Sequence, residues 1–174
     1  MTILVFLQGT VIMHQAGVGK TRTQRVRQVE GQEPSVRDYK NYAPIENAAV
    51  KLQSWASQGA AIAYLSALTE DKSERGDEIV GLEGLEADRA VLERYGFPSG
   101  PIYHRDLGER YEDVVERIDP LPDTLVEDDC ESIGGANEMV YLRLTPETRK
   151  KVHSIVVKEF EGIDHLPDSL DKLV

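Results

Sequence analysis

The chain has 174 residues, a single cysteine and a formal net charge of -11. That length suits one domain with its own core, burying roughly 70% of the surface its unfolded form exposes. Lone Cys130 excludes an internal disulfide scaffold and fits a reducing, cytosolic compartment; the negative charge excludes a general nucleic-acid surface; no apolar stretch has membrane-spanning length, since Gln8, Gly9 and Thr10 interrupt Thr2 to Met13.

In chain order, Ile3 to Leu7 is a continuous apolar run rich in β-formers and closed by Gly9, the pattern of a buried strand. Lys20 to Arg27 follows in a stretch, Met1 to Val29, that holds no acid; it carries +4 and leaves -15 for the rest. No apolar face marks Thr21 to Gln28 as a packed helix, so about 11–43 reads as a small flap or insertion within a single 1–174 domain. Ile45, Ala48, Ala49, Leu52, Trp55 and Ala56 repeat at helical spacing up to Gly59, and Ala60 to Leu65 is a second buried strand. Strand, helix, strand is the mark of a parallel sheet.

Thr69 to Gly81 is polar and reads as a loop, Glu83 to Tyr95 as a helix stopped by Gly96, and Pro101 to His104 as a short extended segment. Tyr111, Val114, Val115 and Ile118 follow the i, i+3, i+4, i+7 pattern of a third helix, and Thr124 to Val126 is a third buried strand. Beyond Gly134-Gly135, Met139 to Leu144 alternates like an exposed strand and Thr145-Pro146 opens a helix. Ser154 to Phe160 is extended, and Leu166 to Val174 reads as a last short helix. The expected fold is a three-layer α/β sandwich on a mainly parallel, Rossmann-like sheet with no large cap domain.

Ligands of open α/β sheets bind beyond the carboxyl ends of the strands. The residues there are Gln8-Gly9-Thr10, Ser66, His104-Arg105, Glu127-Asp128-Asp129 and, after the last run, Asp164-His165. Three adjacent acids offer oxygen ligands to magnesium or calcium, but acids opening a helix also serve as caps. Acidic neighbours suppress a reactive thiolate at Cys130. Asp164-His165, His104 and His14 offer acid/base chemistry only where the fold brings them together.

This order of elements resembles the haloacid dehalogenase (HAD) superfamily over nearly the whole chain. Phe6-Leu7-Gln8-Gly9-Thr10 is similar to that superfamily's first motif, Asp-x-Asp-Gly-Thr; Ser66 and Arg105 match the second and third, and Glu127-Asp128-Asp129 the acidic fourth. The stretch from Glu127 to Gly135 is similar to a group of HAD-like proteins of unassigned activity. The resemblance implies hydrolysis of a phosphorylated or otherwise anionic small molecule, with magnesium on Asp128, Asp129 and Glu127. Asp128 and Asp129 would be catalytic, and Gly9, Thr10, Ser66 and Arg105 would hold the substrate. Phe6 and Gln8 replace the nucleophilic and acid/base aspartates, however, and neither a phenyl ring nor an amide can do their work.

Two other readings stay open: a non-catalytic module binding a ligand or protein at the same edge, and a phosphate loop at Gly17-Val18-Gly19-Lys20-Thr21. The loop pattern needs glycine where this chain has His14. The arginines of the flap could meet an anion from above or pair with the protein's own acids. Trp55 and Tyr141 fit either a dimer contact or core packing.

Overall fold

A computed structural model of the protein describes residues 1–69, 82–106 and 108–173. Its elements run β1 (Thr2–Phe6), β2 (Ile12–Met13), α1 (Arg22–Glu30), β3 (Ala43–Pro44), α2 (Ala48–Ser57), β4 (Ala61–Thr69), α3 (Leu82–Arg94), β5 (Ile102–Arg105), α4 (Tyr111–Glu116), β6 (Thr124–Asp128), α5 (Val140–Arg143), α6 (Pro146–Arg149) and β7 (His153–Val157). Five strands form one sheet in the order β5-β4-β1-β6-β7, every pair parallel. The chain builds outward from β1 to β4 and β5, then returns to the other side of β1 for β6 and β7. The strand order therefore reverses beside β1, and the crevice over its carboxyl end is where such sheets bind ligands.

Alternation along β1 divides the core in two. Ile3 and Val5 face Leu52 and Trp55 of α2 and Val91 and Leu92 of α3, whereas Leu4 faces Val114 and Val115 of α4 and Val140 of α5. Helices thus cover both faces, giving the three-layer α/β sandwich expected from the sequence. Trp55 is fully buried and its indole N–H donates to the Pro167 carbonyl at 3.0 Å, so it is a core residue. Burying a side chain of that kind contributes about 1.5–3 kcal/mol.

Three local expectations are corrected. Arg22–Glu30 is a helix: Thr21 and Gln24 make a reciprocal capping box, and Arg25, Val26 and Gln28 are buried beneath a largely polar helix. Arg25 reaches the Gly17 and Phe160 carbonyls and Glu46, so hydrogen bonds replace the missing apolar face. Val140–Arg143 is a helical turn instead of a strand, because the Glu127 carboxylate accepts the Val140 and Tyr141 amides at its start. The tail makes only a short 3-10 turn, Leu170–Lys172, tied by the Leu170 amide to Gln58. The loop read at Thr69 to Gly81 falls, after Thr69, outside the described residues. β2 and β3 pair antiparallel and close the base of the flap. Among the described residues, no helix is long and apolar enough to cross a membrane.

Candidate functional site

β1 ends where its apolar pattern runs out, and the turn that follows depends on Gly9. Its φ is +88°, and a β-carbon there would lie 2.9 Å from Asp128 Oδ2 and 3.3 Å from Glu159 Cγ. A glycine at this position lets the turn pass directly against the acids. Thr10, fully buried, donates its hydroxyl to Asp128 Oδ2 at 2.7 Å, and the Cys130 amide donates to Asp128 Oδ1 at 2.9 Å. The sequence-predicted Gly9, Thr10 and Asp128 thus form one contact set.

The acidic run at the end of β6 splits. Asp128 and Asp129 join Glu159, just past β7, in a group whose ligand oxygens lie within 4.8 Å of one another. Glu159 accepts the Ser132 amide at 2.7 Å and its hydroxyl at 2.6 Å, and Asp129 accepts the Glu159 amide at 3.0 Å. Glu127 turns to the Val140 and Tyr141 amides at 2.7 and 3.0 Å, away from that group. Burial pushes the Glu127 and Glu159 carboxyls up to about 7, and raises Asp128 despite the hydrogen bonds from Thr10 and Cys130. Burial and then Asp128 push the Cys130 thiol well above its ordinary range, which leaves it unreactive as a thiolate.

Gln8 and Phe6 have found other partners. The Gln8 amide nitrogen donates to Asp88 Oδ1 at 2.9 Å, and its oxygen accepts the Ala67 amide at 2.8 Å. Ser66, fully buried, also donates to Asp88, and His104 Nε2 lies 3.2 Å from the same carboxylate. Asp88 of α3 is therefore the hub of a closed polar network that the sequence did not reveal. The Phe6 ring packs edge-to-face on Tyr111, centroids 5.2 Å apart, and the Arg105 guanidinium stands 4.3 Å over the other ring of that pair.

A cleft of about 190 Å³ opens beside these strand ends, with Gln8, Gly9, Asp128 and Glu159 at its polar end and Phe6, Tyr39, Tyr42 and Tyr111 among its apolar walls. Neither Ser66 nor Arg105 is among the described residues lining it, and neither is any lysine or arginine. Two of the flap's arginines meet the protein's own acids: Arg22 pairs with Asp129 and Glu131, and Arg25 with Glu46. Asp164 accepts the Asn47 amides, His165 is exposed, and buried His14 meets Gln28 with its pKa lowered by burial. These residues take no part in the cleft.

At the suggested phosphate loop, the Thr21 hydroxyl accepts the Gln24 amide at 3.3 Å as a helix cap, and the segment lies within the flap instead of at the end of a central strand. A carboxylate-only donor set suits a hard divalent cation such as magnesium. Burial first, and neighbouring acids second, raise the Asp128 and Glu159 carboxyls, and a cation would offset both, so the residues present fit one. Comparison with protein-family models and with curated proteins finds no match to the chain.

Proposed function

We propose that the chain is a divergent HAD-like hydrolase of a phosphorylated or otherwise anionic small molecule, dependent on a divalent cation and lacking an aspartyl nucleophile. The observation that carries this reading is the convergence of Asp128, Asp129 and Glu159 beside the cleft, at the strand-order reversal. Asp128, Asp129 and Glu159 would hold the cation, which when bound would neutralise an anionic group that no lysine or arginine among the described lining residues can meet.

The chain's own residues define the rest. Thr10 and the Cys130 amide fix Asp128, Ser132 fixes Glu159, and Gly9 leaves room against both. Phe6 and Gln8 exclude a covalent aspartyl-phosphate route, so water attacks phosphorus directly as the ester P–O bond breaks. The proton that water loses passes to the departing ester oxygen, while Glu127, held by the Val140 and Tyr141 amides, stays out of the step. The products are an alcohol and inorganic phosphate.

A second reading, a non-catalytic binding module, is favoured by the closed network around Gln8 and Asp88, which leaves no acid/base group on β1. Turnover separates the two. A phosphoester panel assayed with magnesium or manganese should yield phosphate release that Asp128→Asn abolishes. No release from the wild-type chain, with ligand binding retained, would replace the hydrolase with the module.

A further inference from the structure

The cleft's walls carry information about the part of the substrate that does not react. Phe6 and Tyr111 form one wall as an edge-to-face pair. Tyr39 and Tyr42 of the flap, ring centroids 5.2 Å apart, form another with Val36. The hydroxyls of Tyr42 and Tyr111 and the Gln8 amide are committed within the protein. The Tyr42 hydroxyl donates to the Val36 carbonyl at 2.6 Å and the Tyr111 hydroxyl to the Ala67 carbonyl at 3.1 Å, while both ends of the Gln8 amide are taken. Along these aromatic walls a polyol would surrender water and find partners only at the carboxylates and Ser132, at a cost for each hydroxyl left over. A flat apolar body would lose nothing and gain ring contacts.

We propose that the cleft selects a phosphoester of an aromatic alcohol, one or two fused rings in size, over a sugar or glycerol phosphate. Phe6 acts as a specificity residue against the ring, and the anionic end lies toward Asp128 and Glu159. This rests on the hydrolase reading above and adds the substrate class to it. The ring that displaces a nucleophile at the end of β1 thereby has a positive role: it continues the apolar wall of Tyr111 to the foot of the acidic cluster.

The test is calorimetric or ligand-observed NMR titration of the full chain with naphthyl phosphate, glycerol phosphate and free naphthol, with and without magnesium, beside phosphate-release assays on the two esters. Naphthyl phosphate should bind about tenfold more tightly than glycerol phosphate, and naphthol should bind saturably without magnesium. Phe6→Leu, which keeps apolar volume but removes the ring, should narrow the ratio severalfold. Tyr39→Leu, on the wall that the flap supplies, should do the same and serves if Phe6→Leu does not fold. Equal affinities for the two esters, or a ratio unchanged in the folded variants, overturns the proposal. Release from glycerol phosphate at the same rate would do so while leaving the hydrolase standing. Naphthol binding with no magnesium-dependent release from either ester would instead remove the hydrolase and retain the aromatic specificity of the cleft.

Discussion

Gly9→Ala probes the contact on which the candidate site is built. At φ +88° any β-carbon is strained, a cost of about 1–2 kcal/mol. At Gly9 that carbon would also stand 2.9 Å from Asp128 Oδ2 and 3.3 Å from Glu159 Cγ, and relieving such overpacking adds about 1–3 kcal/mol. The expected loss is therefore about 2–5 kcal/mol, from the sum of these two ranges. Gly59 supplies the control: its φ is +99°, but nothing lies within 4 Å of its added carbon, so Gly59→Ala should lose only the first part. Urea unfolding of both variants measures the difference. Equal losses would refute the close approach of the β1 turn to the acids.

Three further outcomes follow from the same geometry. Gln8→Glu sets a second carboxylate against buried Asp88 and should cost about 3 kcal/mol in urea unfolding; adding Asp88→Asn should recover most of it, and a double-mutant cycle without recovery would contradict the network. Glu127 and Glu159 hold their protons more tightly when folded, since burial lifts them from 4.5 to about 7. The stability they bring is complete below about pH 4.5 and is lost as pH rises through about 7, up to about 3 kcal/mol for one uncoupled group. Thermal unfolding across that window should show the decline, made shallower by Glu159→Gln, whose amide Ser132 can still meet; a flat profile in the wild-type chain would contradict it. Thr21→Ala should cost about 1 kcal/mol as a lost cap, and neither it nor Lys20→Ala should alter binding of a nucleotide triphosphate measured by titration; a loss of such binding in either would revive the phosphate loop.

The sheet was legible because each central strand is an apolar run bounded by glycine, proline or charge, and because α2 and α4 keep strong apolar periodicity. The site was legible only in part, for reasons that can be named. Glu159 does not stand out in the sequence because the extended pattern runs on to Phe160, whereas β7 ends at Val157. The rule of looking past the strand end then pointed to Asp164-His165, several residues too late. Asp88 sits among Ala87, Val91 and Leu92 on the buried side of α3. Apolar periodicity alone reads such a residue as solvated, since its partners Gln8, Ser66 and His104 come from three separate segments.

Glu127, Asp128 and Asp129 read as one acidic patch, but β6 sends Glu127 and Asp128 to opposite faces, and only Asp129, past the strand's end, joins Asp128. Helix α1 escaped because it is held by hydrogen bonds from Arg25 and Gln28. Its signal was the Thr21 to Gln24 capping pattern, not hydrophobic spacing.

Calorimetric titration of the full chain with magnesium, beside Asp128→Asn, decides whether Asp128, Asp129 and Glu159 act as a cation site. Saturable binding to one site is expected, lost in Asp128→Asn, with thermal stability rising by about 2.7 kcal/mol at a hundredfold excess over Kd. Heats no different from dilution, or binding undiminished in Asp128→Asn, would contradict it.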